Sequence, residues 1–243
     1  TQQYVQQNVG YFTCLLVKRE RINGNLMLHQ YLQMRVRHEV ASGREVITPY
    51  SVHARYLGPN RIKGREVLYI EGWNDGKIRA RKGIGRFASI QVNVDPSSDT
   101  AQRESLYPIT DIGISSVVRR LVERIEDDME ADPEGANTEV TFFRNSRVSG
   151  RECTHVRVSH PVPQPGLVYH LANVYVDNQL HVPIRIDGYD WPDADGEQPA
   201  DDRVAAHLAD GRLDVDRLIE EHLLVQRHGL AQAQLRREVN SRL

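Results

Sequence analysis

The alternation of apolar and polar residues is strongest between Tyr11 and Val40, where it predicts two long strands joined by a tight turn. In the second strand the apolar residues occupy even positions: Leu26, Leu28, Leu32, Met34, Val36 and Val40. Alternation of this kind places apolar and polar residues on opposite faces of a strand. Asn23-Gly24 supplies the turn, because both central residues of a tight hairpin turn need positive φ. A strand of this length would extend over roughly 50 Å, so we expect it to bend or to contain a bulge.

Shorter alternating segments follow, separated by turn residues such as Gly58-Pro59-Asn60 and Asn74-Asp75-Gly76. We predict a loop at 41–45 and further strands at 49–57, 66–71, 77–81, 89–94, 139–146, 151–160, 167–176, 182–189 and 218–226. None of these connections needs a crossover helix. The strands are therefore expected to pair antiparallel.

One long amphipathic helix is predicted over residues 115–130. Its apolar residues recur at spacings of three and four and form one wide stripe: Ile114, Val117, Val118, Leu121, Val122, Ile125 and Met129. Asp111, Ser115 or Ser116 is expected to cap its start. This helix is the only strong covering element that the pattern predicts for the sheet.

The organisation along the chain indicates a single domain over residues 1–243, because no linker rich in Pro, Gly or Ser divides it. The stretch 193–216 is rich in Asp and Ala and is interpreted as an insertion that leaves the sheet. Residues 228–243 are expected to form a C-terminal tail or helix. Residues 1–9 are typical of the end of a helix, and because the chain begins with Thr1 rather than Met we expect upstream residues to have been removed, with processed export as one explanation.

The mismatch between sheet and helix predicts a curved architecture. About ten strands at ~4.8 Å spacing make a flat sheet near 48 Å wide, whereas one helix covers only about 10–12 Å. We therefore predict a mainly β fold, a strongly curved antiparallel sheet or unclosed β-barrel of about 10–11 strands wrapped around one main helix. Either an apolar hollow remains between them or side chains fill the interior. The residues expected to line a hollow are Leu15, Val17, Leu32, Met34, Val117 and Leu121.

Composition and charge narrow the classes of function. The formal net charge is −2, which argues against a nucleic-acid partner. No apolar run is long enough to form a transmembrane segment. The basic residues of Lys18-Arg19-Glu20-Arg21 are diluted by acidic neighbours, so we interpret them as a solvated face.

Catalytic and metal-binding motifs are absent from the sequence. The ten histidines include His29, His53, His155 and His170, but none lies in a zinc-type spacing, and no metal or cofactor is predicted. Gly83-Ile84-Gly85 lacks the strand-to-helix context of a phosphate loop. No serine lies in a nucleophile-elbow motif, so no catalytic residue is assigned and the protein is expected not to be an enzyme.

Several short motifs together resemble a bacterial family of exported proteins of unknown function. They are Tyr11-x-x-Cys14, Lys18-Arg19-Glu20-Arg21-x-x-Gly24, Lys63-Gly64-Arg65-Glu66-Val67-Leu68-Tyr69, Tyr107-Pro108-Ile109-Thr110-x-x-Gly113, Val174-Tyr175-Val176-Asp177 and Tyr189-Asp190-Trp191-Pro192. That family is similar in fold to the lipoprotein-localisation factors of the LolA and LolB types and to the sensor domain of RseB. The resemblance implies an unclosed barrel with helices over a hydrophobic cavity and a periplasmic or otherwise exported location. In the family the strand after the Trp-Pro corner comes sooner, so Glu220-Glu221-His222 is a candidate for that strand displaced by the insertion.

The two cysteines, Cys14 and Cys153, present two open alternatives. By parity each shares a strand face with charged or imidazole side chains, so both thiols are expected on the polar side of the sheet. On neighbouring strands they would form a disulfide, which an exported protein allows. On separate strands they would remain two unpaired thiols.

Two functional hypotheses follow for this fold. The first is a non-enzymatic exported protein that binds or carries an apolar ligand, such as a lipid or acyl chain, between the sheet and the helix. The second is a cell-envelope sensor or scaffold that binds another protein, as the resemblance to RseB implies. The contact would then lie on the 193–216 segment or on a sheet edge.

Overall fold

The computed structural model describes residues 9–83, 85 and 90–192 and the backbone of Asp202–Leu208. Its strands are β1 (Tyr11–Arg19), β2 (Arg21–Ile22), β3 (Asn25–Leu26), β4 (Gln30–Arg37), β5 (Val40–Ser42), β6 (Glu45–Thr48), β7 (Ser51–Gly58), β8 (Glu66–Ile70), β9 (Ile78–Arg81), β10 (Gln91–Val94), β11 (Glu139–Val148), β12 (Arg151–Ser159), β13 (Leu171–Asp177), β14 (Pro183–Tyr189) and β15 (Asp202–Leu208). Its helices are α1 (Asp99–Gln102) and α2 (Ile114–Ala131), with 3₁₀ turns at Asn74–Gly76 and Ile109–Asp111.

One antiparallel sheet of eleven strands contains most of these elements, in the order β10-β9-β8-β7-β4-β1-β15-β14-β13-β12-β11. Each half is a meander of strands that are consecutive along its part of the chain, and β15 joins the halves by pairing with both β1 and β14. The two outer strands, β10 and β11, do not pair with each other, so the sheet is unclosed. The predicted class, an unclosed antiparallel sheet around one main helix, is confirmed.

The N-terminal hairpin forms as predicted but is interrupted. Strands β1 and β4 pair antiparallel, with Cys14 opposite Met34, and Asn23 and Gly24 have φ of 50° and 78° in the turn. The chain leaves the sheet at 27–29, where Leu28 is 67% exposed, so this residue does not belong to the buried apolar face. Val40 is likewise exposed, and it begins a separate hairpin of β5 and β6 where a loop was predicted.

The prediction of an insertion that leaves the sheet is wrong for residues 202–208. These residues form β15, which occupies a central position between β1 and β14. Its partner β1 lies at the other end of the described chain, so that pairing leaves no local signal in the sequence around β15. The predicted strand 218–226, the tail 228–243, residues 1–8 and the remainder of 193–216 lie outside the described residues.

Helix α2 begins without the side-chain cap that was predicted. Its N-cap is Gly113, which makes no side-chain cap hydrogen bond, and the Asp111 carboxylate binds Arg119 and Arg120. Gly113 has φ of 133°, and a Cβ atom at this position would lie 2.8 Å from Cε1 of His38. Glycine is therefore required by close packing of the backbone against β4 and the residue that follows it.

Asp177 closes the turn between β13 and β14 and makes stability depend on pH. Burial favours its neutral form, but hydrogen bonds from Arg151 and from the backbone N–H groups of Leu180 and Gln179 outweigh burial and hold the pKa of Asp177 below its ordinary value. A lowered folded-state pKa stabilises the protein above the unfolded-state pKa, about 3.9, and that contribution is lost as pH falls through the folded-state value.

We therefore expect the urea midpoint to fall as the pH is lowered below about 4, and to fall less in an Asp177→Asn variant. Other carboxyls with lowered pKa values, including Asp132, also contribute to acid sensitivity. Subtracting the two pH profiles isolates the contribution of Asp177. Parallel profiles for the two proteins would contradict this assignment.

Candidate functional site

A cavity of about 940 Å³ lies between the sheet and α2. Its apolar wall consists of side chains from the N-terminal meander, and several of them are almost completely buried: Cys14, Leu32, Met34, Val36, Val52, Ala54 and Ile78. The connection from α1 to α2 adds Tyr107, Ile109 and Ile112. Most of the surface that a bound molecule would contact is therefore aliphatic or aromatic.

The cavity is also direct evidence that the sheet curves. Val92 on β10 and Ile186 on β14 both line it. These strands are separated by seven strand spacings in the sheet order, which would be about 34 Å in a flat sheet. Side chains from strands this far apart line one cavity together with α2, as expected if the strands between them bend around it.

Helix α2 covers the cavity on one side because its apolar stripe contacts only part of the sheet. Ile114 and Val118 pack in a core cluster with Cys153, Val182 and Ile184, in the C-terminal meander. The N-terminal meander forms a separate core cluster of its own. The helix therefore packs firmly against one half of the sheet and leaves space over the other half.

The C-terminal half of the predicted apolar stripe is exposed rather than packed. Ile125 is 54% exposed and Met129 is 66% exposed. The predicted stripe is therefore helical throughout but buried only in its N-terminal half. The cavity is covered by the part of α2 that begins at Ile114 and includes Val117 and Leu121.

Four of the six residues predicted to line a hollow do line the cavity: Leu32, Met34, Val117 and Leu121. Leu15 and Val17 do not. They alternate along β1 with Phe12, Cys14 and Leu16, which face the cavity, so they lie on the opposite face of the strand, where both are almost fully buried.

Of the two alternatives for the cysteines, the structure has the unpaired one, because Cys14 and Cys153 are both free and buried. Their strands, β1 and β12, are separated by β15, β14 and β13 in the sheet. The expectation that both thiols lie on the polar side is also wrong. Cys14 lines the cavity, and burial raises its pKa to about 12. Cys153 is fully buried in the core cluster that contains Ile114.

An ion pair is buried in the cavity wall, where the sequence indicated a solvated face. Lys18 Nζ lies 2.7 Å from Glu20 Oε2, and the two residues are 7% and 5% exposed. Lys18 also donates to the carbonyl oxygen of Glu104 at 2.9 Å, and the backbone N–H of Leu106 donates to Glu20 at 3.3 Å. This network places charge within a wall that is mainly apolar.

A second polar cluster, away from the cavity, anchors the C-terminal turn of α2. Asp128 Oδ2 accepts a hydrogen bond of 2.5 Å from the Tyr169 hydroxyl and lies 3.5 Å from His160 Nε2. His160 Nδ1 is 3.3 Å from the Thr138 hydroxyl, which donates to Asp132 at 2.7 Å. The acid–histidine–hydroxyl order is similar to a catalytic relay, but His160 is fully buried and none of these residues lines the cavity. We interpret the cluster as structural.

The other histidines of the described residues also have structural neighbours. His155 stacks between the rings of Phe143 and Tyr175, with centroids at 4.8 and 4.3 Å. His53 lies 3.9 Å from Glu66. Within the described ranges, no three His, Cys, Asp or Glu side chains are grouped as a metal site requires.

Part of the cavity wall had no sequence signal. Residues 100–112 contribute Arg103, Glu104, Tyr107, Ile109 and Ile112 to the lining, although this connection has little periodicity. The hydroxyl of Tyr50 lies 2.6 Å from the carbonyl oxygen of Ile112 and fixes the connection to the sheet. Only the motif around Tyr107 indicated that this stretch matters.

The chain belongs to the family described as protein of unknown function (DUF1571), whose model matches residues 9–204. This membership agrees with the resemblance seen in the sequence motifs. A comparison with curated proteins finds no match. Among the described helices, none has both the length and the apolar character needed to cross a membrane.

Solved structures similar to this chain share little sequence with it. A DUF1329 family protein from Desulfovibrio piger is 14% identical, with a TM-score of 0.36 over 88% of this chain and 90% of that one. A putative outer membrane lipoprotein-sorting protein domain from Vibrio parahaemolyticus is 7% identical, with a TM-score of 0.33 over 88% and 94%. MucB is 14% identical, with a TM-score of 0.43 over 87% and 57%. With TM-scores this low, no property of these proteins is transferred to this chain.

Proposed function

We propose that this member of the DUF1571 family is a non-enzymatic, exported bacterial protein that binds an apolar ligand, a lipid or an acyl chain, in the cavity between the sheet and α2. The observation that supports the proposal is the cavity itself, about 940 Å³ with a wall of buried aliphatic side chains. Ligand pockets typically enclose about 300–1,000 Å³, so the cavity lies at the large end of that range.

The composition of the wall favours an apolar chain over a polar substrate. Leu32, Met34 and Val52 are each at most 4% exposed and present carbon atoms to the cavity. Covering such a surface with an acyl chain removes apolar area from water on both sides of the contact, at about 25 cal/mol per Å². A polar substrate would lose its hydration without finding enough hydrogen-bond partners there.

The proposal of a non-enzymatic role is supported by the same wall. Burial raises the pKa of the Cys14 thiol in this wall to about 12 and so keeps it protonated. The hydroxyl of Ser105, which also lines the cavity, donates to the carbonyl oxygen of Tyr107 at 3.0 Å. Lys18 and Glu20 form an ion pair with each other. Binding or carrying an apolar ligand requires only the apolar wall, whereas hydrolysis requires an activated nucleophile.

The test is to block the cavity with a side chain. Ala54 is 3% exposed on β7, between Met34 and Val67, and lines the cavity. We expect Ala54→Phe to weaken binding of the neutral fluorophore Nile red by about tenfold or more, because the ring occupies ligand space. Fluorescence titration measures the change, and native mass spectrometry of the wild-type protein with dodecanoate measures occupancy.

The matched control is Ala172→Phe, which adds the same ring at a half-buried position on β13 that does not line the cavity. It should bind Nile red like the wild type. Thermal melts of both variants check that each is folded. Absence of binding to the folded wild-type protein, in both titration and mass spectrometry, would reject the proposed function.

A second candidate function is binding of an envelope protein partner at a sheet edge. The observation that favours it is β11, an outer strand with Val140 52% exposed and Phe142 67% exposed. Outer strands offer unpaired backbone groups to an added strand. Loss of a partner from a Phe142→Lys variant that still binds Nile red would favour this role over ligand binding.

A further inference from the structure

The cationic side chains that line the cavity concentrate at one end, which we call the basic end. It comprises Arg61, Lys63, Arg65, Arg81, Lys82 and Arg103. The chain as a whole has a formal net charge of −2, so this concentration does not reflect a generally basic surface. A local surplus of positive charge beside an apolar cavity requires an explanation of its own.

Contacts between the segments show that these residues share one location. A Cβ atom on Gly64 would lie 3.2 Å from the Cα of Gly83, so the 61–65 turn and the end of β9 are in direct contact. Arg61 and Arg65 both bind the carboxylate of Glu104, at 2.9 and 3.1 Å. That contact brings the residues after α1 to the same place.

Three carboxylates near the basic end are already paired. Glu20 pairs with Lys18, and Glu104 is held by two arginines. Glu66 pairs with Arg81 at 2.9 Å. Each of these three acids is therefore occupied by at least one cation, and cations remain in excess.

Lys63, Lys82 and Arg103 make up that excess. All of them are exposed, and in the described part of the chain none has a carboxylate within ion-pair distance. Their charges line the cavity without an internal counter-charge. An anion bound among them would not have to displace an existing ion pair.

The side of the cavity formed by α2 differs in this respect. Arg120 pairs with Asp111 at 2.5 Å, and Arg124 pairs with Asp127 at 3.2 Å and with Asp128 at 3.0 Å. These cations are neutralised within the protein. Among the described residues that line the cavity, unpaired cations therefore lie at the basic end only.

We propose that the cavity selects amphiphiles with an anionic head group, a carboxylate or a phosphate monoester. The head group lies at the basic end, near Lys63, Lys82 and Arg103, and the chain extends along the apolar wall toward α2. This inference rests on the proposed function, because it assigns the head group of the same ligand. Charge-assisted contacts from lysine and arginine are suited to both carboxylates and phosphates.

The experiment compares dodecanoate, dodecyl phosphate and dodecanol as competitors of Nile red. We expect each anion to displace the fluorophore at a concentration about tenfold or more below that of the alcohol, and we expect the difference to shrink as salt is added. If dodecanoate displaces Nile red at the lowest concentration, the head group is a carboxylate. If dodecyl phosphate does so, the head group is a phosphate.

The triple variant Lys63→Gln/Lys82→Gln/Arg103→Gln should lose the preference for the anions and keep its affinity for dodecanol. The matched control, Arg44→Gln/Lys77→Gln/Arg144→Gln, removes the same charge from exposed positions that do not line the cavity and should retain the preference. Because all six positions are exposed, both variants should melt like the wild type.

The failure of this inference differs from the failure of the proposed function. Equal displacement by anions and alcohol from the wild-type protein would overturn the inference and leave apolar binding intact. A triple variant that keeps the preference would overturn the assignment to the basic end. If Nile red does not bind and none of the three compounds binds, the proposed function fails.

Discussion

Replacing Asp128 with alanine is expected to lower the free energy of unfolding by about 3–5 kcal/mol. Asp128 is 5% exposed and accepts hydrogen bonds from the Tyr169 hydroxyl at 2.5 Å and from Arg124 Nε at 3.0 Å. Its removal leaves these donors without their buried acceptor and releases the last turns of α2 from the loop that contains Tyr169. Urea denaturation at neutral pH measures the loss.

The adjacent residue provides the control. Asp127 also pairs with Arg124, at 3.2 Å, but its side chain is 62% exposed. Because exposed ion pairs contribute little, Asp127→Ala is expected to cost less than about 1 kcal/mol. Similar losses in the two variants would show that Asp128 is not the anchor of the helix end.

The elements that could be predicted from the sequence are those whose signals are local. The helix predicted at 115–130 is α2, Ile114–Ala131, because a stripe of apolar residues at helical spacing is present in the segment itself. The hairpins follow from alternation and from turn residues such as Asn23 and Gly24, which adopt the positive φ that the turn requires. Curvature was predictable too, since it follows from the area that one helix can cover.

The elements that could not be predicted depend on distant partners. Strand β15 is specified by the edges of β1 and β14, and β1 is nearly the whole chain away from it. The stretch 193–216 that contains it is rich in Asp and Ala and has little periodicity, which is typical of a loop. The 100–112 connection lines the cavity because Tyr50 binds its backbone, and that contact spans 62 residues.

The face of β1 that points to the cavity was predicted wrongly, and the error has one physical cause. Lys18 and Glu20 share the parity of Cys14, and their charges indicated that this face of β1 is exposed. The two residues are instead buried together in the cavity wall as a bonded pair. Two charged side chains that bond to each other can be buried, so charged residues alone do not identify the exposed face of a strand. The same error placed Leu15 and Val17 on the cavity side.

The proposed function follows from where α2 packs, and the basic end adds an orientation for the ligand. Because Ile114 and Val118 pack with the core of the C-terminal meander, α2 leaves part of the apolar face of the N-terminal meander open to the cavity. A ligand chain would cover that face. The unpaired cations at the basic end would orient the ligand. Its head group would lie at that end and its acyl chain along the apolar face.

Replacing Lys18 with methionine is expected to lower the free energy of unfolding by about 3–5 kcal/mol, because it leaves the carboxylate of Glu20 buried without its counter-charge. Glu20→Met should cost less, since Lys18 Nζ retains the carbonyl oxygen of Glu104 at 2.9 Å. The double variant Lys18→Met/Glu20→Met should lie within about 1 kcal/mol of the wild type or above it, because two apolar side chains replace the pair. Urea denaturation of all four proteins gives the coupling energy of the pair.

Arg147→Met is the control for this cycle. Arg147 pairs with Glu152 at 2.9 Å, but the two side chains are 66% and 65% exposed, so its loss should cost less than about 1 kcal/mol. Additive losses in the Lys18 and Glu20 cycle would mean that the two residues do not act as a pair. Since the double variant extends the apolar wall, we also expect it to bind Nile red at least as tightly as the wild type. A stable double variant with weaker Nile red binding would show that the pair itself contacts the ligand.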